Sequence, residues 1–377
     1  EKGIDTIYAI GDLHGDVKCA KFWVDSIGVV DSVDNPQKWL DDTASLVFMG
    51  DYVDKGPYSY QTLRFIQSLT EQFPDRVTAL MGNHEMELLK DRDPRRKVAY
   101  FHMPYATVHP VEYLNFLDRK VDETDRVVVD LLLNASLEVY AGKHYRSVVY
   151  APVKFNSRQY LVAELMPESL QPVVTERLKE YQTAYLNAFR SNTTLGQWVE
   201  KRPVAHVQNG FFFCHGGINE LVASTLTSEE EVDKFNQMVA AHTREDKFVN
   251  FLENSSLGRV ARDLMLHRGN HKGNDPCGEL ATFLDSMDGV EHLVVGHTPG
   301  RDVRIQCNQQ FLAIDSLLGR YIRTSGNHYC PDEGRRSRDG SFVCPPLTPI
   351  CQGQIVKISG SDIRVIHPQP ITADIDI

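Results

Sequence analysis

Five short turns carry most of the residues able to bind a metal or move a proton. They are Gly11-Asp12-Leu13-His14-Gly15-Asp16, Gly50-Asp51-Tyr52-Val53-Asp54-Lys55-Gly56, Gly82-Asn83-His84-Glu85, His215-Gly216-Gly217 and Gly296-His297-Thr298-Pro299. Asp, His and Asn in mixture, with no clustered cysteine beside them, suit hard or borderline ions such as manganese, iron or zinc rather than soft copper. The set is large enough for two ions sharing one carboxylate. Two ions about 3.5–4 Å apart clamp an in-line displacement at phosphorus and generate hydroxide at neutral pH. The chemistry expected is therefore hydrolytic. Taken singly, each turn is more often plain punctuation, since Gly, Asp, Asn and Pro build turns without any ligand. Their repetition favours a metal site, whereas His102, His109, His271 and His328 read as ordinary packing or surface histidines.

Each turn follows an apolar run, and that run must aim it. Thr6–Ile10 reads as a buried strand, "SLVFMGD" as a second and "RVTALMGNHE" as a third, with helical spacing in "VKCAKFWVDSIGVV" and "YQTLRFIQSLTEQF" between them. Strand, helix, strand, helix, strand is the alternation of a parallel α/β layer. Further strands are expected at "GFFFCHGG", "HLVVGHTPG", "FLAID", "QIVKI" and "IRVI". In open α/β sheets ligands bind beyond the carboxyl ends of strands, so the five turns are expected to converge. Residues 86–205 are rich in charge and helix formers, and read as a mostly helical insertion or cap in one domain spanning 1–377. Residues 326–352, rich in Cys, Pro and Arg, read as a loop.

Composition limits the partners. A formal net charge of −11 argues against a broad nucleic-acid surface, so a phosphorylated substrate needs a local positive site. No apolar stretch approaches the roughly 20 residues of a membrane span. The chain opens at Glu1 without methionine and reads as a processed or trimmed product, with any targeting segment out of view. Seven cysteines are present, four of them late (Cys307, Cys330, Cys344 and Cys351). Disulfides there would imply an oxidising compartment, and separate thiols a reducing one. Asn134, Asn192 and Asn254 fit the glycosylation acceptor pattern. The expectation tilts to the secretory pathway or an organelle, with the cytoplasm as alternative.

The set GDLHGD, GDYVDKG, GNHE, HGG and GHTP resembles the phosphoprotein phosphatase family of binuclear metallophosphoesterases, which are calcineurin-like. The long insert, and "FLAIDSLLGRY" after GHTP, look most like the bacterial-type branch, the Shewanella-like protein phosphatases. The resemblance spans Thr6 to His84 closely, then Gly210 to about Tyr321. It implies an α-β-β-α fold, a β-sandwich flanked by helices, and two metal ions (manganese, iron or zinc). Asp12 and His14 would bind the first, Asp51 would bridge, and Asn83, His215 and His297 would complete the second. A metal-bridging hydroxide would attack, His84 would protonate the leaving oxygen, and Asp54 would orient it. A carboxylate partner fixes the tautomer and supports the protonated ring of such a general acid.

The resemblance also implies phosphate-gripping arginines. Lys55 stands where one is usual, offering charge without a bidentate grip. Arg268 is the best match for the other, with Arg262 as fallback. Tyr52 and Tyr321 line the pocket or simply pack. The implied substrate is a phosphorylated protein or peptide, on Ser/Thr or on Tyr. A dinucleoside tetraphosphate hydrolase of the ApaH-like kind is the alternative, since "GPYSYQTLRFIQSL" is similar to that group. An inactive binding module is the third reading, which the intact ligand set opposes. Oligomeric state is not legible.

Overall fold

The computed structural model describes residues 3–93, 108–141, 168–244, 247–271, 275–320, 335–336, 342–343 and 351–368. Its first half alternates as expected: β1 (Thr6–Ile10), α1 (Val17–Ile27), β2 (Ala44–Phe48), α2 (Ser59–Gln72), β3 (Val77–Ala79) and α3 (Asn83–Asp91). Then come a 3₁₀ helix (Pro110–Phe116), α4 (Glu123–Ala141), α5 (Gln171–Ala188) and α6 (Thr194–Glu200). The described elements between residues 92 and 204 are thus helical, and residues 94–107 and 142–167 lie outside the description.

Strands resume with β4 (Ala205–Gln208) and β5 (Phe211–Cys214). Helices α7 (Glu220–Ala223), α8 (Glu229–His242), α9 (Phe248–Asn254), α10 (Ser256–Leu266) and α11 (Pro276–Ser286) follow. The chain continues through β6 (His292–Val295), β7 (Arg304–Gln306) and β8 (Phe311–Ala313). In the Cys/Pro-rich stretch, β9 (Arg335–Arg336) and β10 (Phe342–Val343) form a short antiparallel pair. Tyr321, Cys330 and Cys344 lie outside the described residues. Strands β11 (Ile355–Ser359) and β12 (Asp362–Ile366) complete the described chain.

Two five-stranded sheets form, in the orders β12-β11-β1-β2-β3 and β4-β5-β6-β8-β7. Both are mixed. β1, β2 and β3 run parallel, as do β5, β6 and β8, while β11, β12, β4 and β7 pair antiparallel. Sequence reading expected parallel pairing among β1, β2 and β3, as found, and placed no strand at β4 or β7. β4 and β7 escaped it because neither four-residue "AHVQ" nor three-residue "RIQ" has an apolar run.

The sheets pack face to face, and the period of two along each strand shows how. Ile7, Ala9, Val47, Met49, Phe211, Phe213, Val294, Leu312, Val356 and Ile358 form one buried layer between the sheets. Their neighbours Tyr8, Ile10, Leu46, Phe48, Phe212, Cys214, Leu293 and Val295 face the other way, into the core beneath the helices. Strands buried on both faces read as continuous apolar runs, which is why they were legible. The result is the expected helix-sheet-sheet-helix sandwich. Ile10 lies opposite Phe48 and Cys214 opposite Val295, so the turns that follow leave the sheets side by side.

Candidate metal centre

The turns after β1, β2, β3, β5 and β6 converge at one end of the sandwich. Asp12, His14, Asp51, Asp54, Asn83, His84, His215 and His297 are all buried. Asp51 is central. Its Oδ2 lies 3.5 Å from His14 Nε2 and 3.8 Å from His84 Nε2, while Oδ1 lies 3.2 Å from His215 Nε2. Donor atoms of His14, Asp51 and His84 gather within 4.8 Å of one another, as do those of Asp51, His215 and His297. Asp12 reaches both sides, 3.9 Å from His14 Nε2 and 4.0 Å from His215 Nδ1. Asn83 Oδ1 is 3.1 Å from His215 Nε2.

The outward nitrogens are all tied down. His14 Nδ1–H donates to Val53 O (3.1 Å) and His215 Nδ1–H to Met49 O (2.7 Å), leaving each Nε2 aimed inward. His297 Nε2–H donates to Leu266 O at 3.2 Å, which leaves Nδ1 as its acceptor. Metal-binding imidazoles are commonly held this way, with the second nitrogen fixing tautomer and ring orientation. His84 differs: its Nδ1–H donates to Asp54 Oδ2 at 2.6 Å, a carboxylate partner rather than a carbonyl.

The local fold explains why these loops hold their shape. His14, Asp51, Asp54, Lys55 and His297 all have positive φ, between 45° and 71°. Non-glycine residues adopt that region at a cost, and functional loops are where such strain collects. Gly50 (φ 100°) and Gly82 are needed for contact as well: a Cβ on Gly82 would lie 2.3 Å from the Asp51 nitrogen, and one on Gly50 2.5 Å from the Gly82 nitrogen. Glu85, fully buried, accepts the N–H of Asp51 (2.8 Å), Tyr52 (2.7 Å), Val53 (3.2 Å) and Gly82 (2.9 Å). It therefore caps α3 and braces the second turn with one carboxylate.

Charge in the cluster is balanced by protons. Burial opposes ionisation of Asp51, but His215, His84 and His14 outweigh it and hold its pKa well below the usual carboxylate range. Burial likewise opposes a charge on His215, yet Asp51 and Asp12 raise it to about 9. Burial, then Asp315, raises Asp12, while burial and Lys55 lower His14. His297 falls to about 2 through burial, His215 and Arg268. A buried set of oxygen and imidazole donors whose charge is met by a proton on His215 is one that a cation can take over, releasing that proton. The residues present fit a divalent metal cofactor.

The two residues expected to grip phosphate sit at the rim. Lys55 Nζ is 2.6 Å from His14 Nε2, and Arg268 Nη1 donates to His297 O (2.7 Å) and Thr298 Oγ1 (3.1 Å). Tyr52 is a packing residue: wholly buried, it donates its hydroxyl to Leu80 O at 2.7 Å. Sequence reasoning passed over Glu85, although the GNHE turn contained it. It also passed over Asp16, which N-caps α1 and pairs with Arg320 through three bonds of 2.7–2.9 Å. The final Asp of GDLHGD, just before a helix, was an available capping signal.

Comparison with known proteins agrees with this arrangement. Residues 6–163 match the family described as Calcineurin-like phosphoesterase. Over 337 residues the chain is 24% identical to Shewanella-like protein phosphatase 1 of Plasmodium berghei, covering 87% of this chain and 72% of the relative. A symmetrical bis(5'-nucleosyl)-tetraphosphatase of Aromatoleum aromaticum is 39% identical, but over 84 residues, 22% of this chain and 26% of that protein. Among solved structures, the cold-active protein-tyrosine phosphatase of a psychrophilic Shewanella species matches with a TM-score of 0.55 at 18% identity, over 97% of this chain and 81% of that one. Over residues 6–163, from β1 past the GNHE turn, the chain is similar to the calcineurin-like phosphoesterases.

Proposed function

We propose that this protein is a metal-dependent phosphoprotein phosphatase, hydrolysing phosphate monoesters on Ser/Thr or Tyr side chains. The observation that carries the reading is Asp51, shared between two histidine groups, with the His84–Asp54 pair beside it. Two metal ions, manganese, iron or zinc, would polarise the phosphoryl group and activate water when bound. Asp12 and His14 would hold one, Asn83, His215 and His297 the other, and Asp51 both. Asp54 holds the proton of His84 on Nδ1, so Nε2 is the atom that hands a proton to the leaving oxygen. Lys55 and Arg268 supply positive charge for the phosphate in a chain of formal charge −11.

Similarity to the Plasmodium phosphatase along most of the chain favours this reading over a dinucleoside tetraphosphate hydrolase, whose likeness is confined to 84 residues. The test is kinetics on phosphoserine, phosphothreonine and phosphotyrosine peptides, with metal content measured in the same preparation. Efficient cleavage of diadenosine tetraphosphate with none of the phosphopeptides would replace it with the alternative.

An oxidising compartment, in the secretory pathway or an organelle, is proposed as the setting. Cys19 bonds to Cys351 and Cys277 to Cys307, while Cys214 is a buried free thiol. Among the described residues, Cys307 and Cys351 thus pair with partners that sequence reading did not consider, 30 and 332 residues away. Asn192 and Asn254, both in acceptor patterns, are exposed.

A further inference from the structure

Helix α2 lacks a cap of its own. Tyr58 at its N-cap position does not cap the helix with its side chain, and the first turn contains no acidic residue. Buried N–H groups at a helix start need acceptors from somewhere. These find one in the insertion: Glu112, on the 3₁₀ helix, accepts Ser59 N–H at Oε2 (2.6 Å) and Tyr60 N–H at Oε1 (2.8 Å). Glu112 is wholly buried. Its helix is anchored in turn on α5, where Tyr113 stacks on Tyr181 with centroids 6.1 Å apart and Phe116 meets the edge of Tyr185 at 4.9 Å. Asn115 Nδ2 also donates to Pro57 O at 3.3 Å.

The contacts continue inward. Ser59 Oγ accepts the N–H of Asp54 at 3.0 Å, and Asp54 Oδ2 accepts from His84 at 2.6 Å. Asp54 holds φ 71°, a conformation that persists only where the surroundings enforce it. We infer that Glu112 is a positioning residue for the His84–Asp54 pair, acting through the start of α2 and Ser59, so that the helical insertion sets the aim of the proton donor. The inference rests on His84 being the general acid.

Leaving groups separate this role from a merely structural one. Phenolate needs a proton as it departs, whereas 2,4-dinitrophenolate leaves without help. A misaimed donor therefore slows phenyl phosphate and spares 2,4-dinitrophenyl phosphate, while a loosened fold or lost metal slows both. The experiment measures kcat on both esters for the metal-loaded full chain, with variants Ser59→Ala, Ser59→Thr, Glu112→Gln and Glu112→Asp.

Glu112→Gln keeps the shape but turns an amide donor toward a backbone donor. Loss of one such buried hydrogen bond should lower turnover of phenyl phosphate about tenfold in Ser59→Ala and Glu112→Gln, with the dinitrophenyl ester changed less than about twofold. Ser59→Thr, which restores the hydroxyl, should recover the rate. If Glu112→Gln does not fold, Glu112→Asp, which keeps the carboxyl group but shortens the reach, replaces it with the same expected selectivity. Equal loss on both esters, or loss on neither, overturns the inference. His84→Asn is run alongside. If it too slows both esters equally, the general-acid reading fails first and takes this one with it.

Discussion

Glu85 lies beneath Asp51 and holds its backbone, accepting the Asp51 N–H at 2.8 Å with the same carboxylate oxygen that takes Gly82 N–H at 2.9 Å. The shared oxygen joins the turn after β2 to the turn after β3. Replacing Glu85 with Gln turns an amide donor toward one of four backbone donors in a wholly buried place. The expected cost is about 2–3 kcal/mol of folding stability, together with reduced metal content. A denaturant midpoint and metal-per-chain ratio equal to the parent's would contradict this bracing role.

Metal removal should act on stability as well as on turnover. With no cation, the Asp51 and Asp12 carboxyl groups are left buried against neighbouring histidines and Lys55 only. Chelation should abolish phosphatase activity and lower the melting temperature. An ion present at about 100 times its dissociation constant adds about 2.7 kcal/mol to the folded state. Restoring manganese, iron and zinc one at a time then ranks the metals. A melting temperature indifferent to chelator would count against the site.

Lys55 presents a single charged point to the mouth of the site, 2.6 Å from His14. A guanidinium there can meet two phosphate oxygens at once. Lys55→Arg is expected to tighten inorganic phosphate inhibition or lower KM by about fivefold, the net size of one ordinary hydrogen bond. Unchanged values for both would remove Lys55 from phosphate recognition.

Arg320 and Asp16 form a buried bidentate pair on which the end of the GDLHGD turn depends. Removing one partner of such a pair strands the other's charge, at a cost of about 3–5 kcal/mol. Arg320→Ala should therefore destabilise strongly, and adding Asp16→Asn should recover part of the loss. Additive losses in the double variant would mean that the pairing is not what stabilises this corner.

The disulfides predict linked peptides containing Cys19 with Cys351 and Cys277 with Cys307 in a non-reducing digest. Cys214 should alkylate only after unfolding. Reduction should cost about 2–5 kcal/mol per bridge. Free, reactive Cys19 or Cys307 in the freshly purified protein would point to a reducing compartment instead.

The strands and the convergent turns were legible because both signals are local. An apolar run buried on two faces, ending in Gly and then Asp or His, is visible in ten residues. The helices around Val17–Ile27 and Ser59–Gln72 were readable for the same reason. Glu112 was not, because its partners Ser59 and Tyr60 are 53 and 52 residues away and a lone Glu in a polar insert resembles any surface carboxylate. The partners of Cys351 and of Arg320 were hidden likewise, lying more than 300 residues away. Sequence spacing announces residues that act together in one turn. It is silent on those brought together only by the fold.

The position of β11 bears on how the molecule is made. β1, whose end leads to Asp12, pairs with β2 on one side and with β11 on the other, Ile7 lying opposite Ile358. During synthesis, residues 6–79 emerge early, but that edge of β1 stays unpaired until residues 355–359 have been translated. An uncovered edge is a template for unwanted pairing, and contacts this far apart in sequence form slowly. The nascent chain must therefore protect, or be helped to protect, the strand that leads to Asp12.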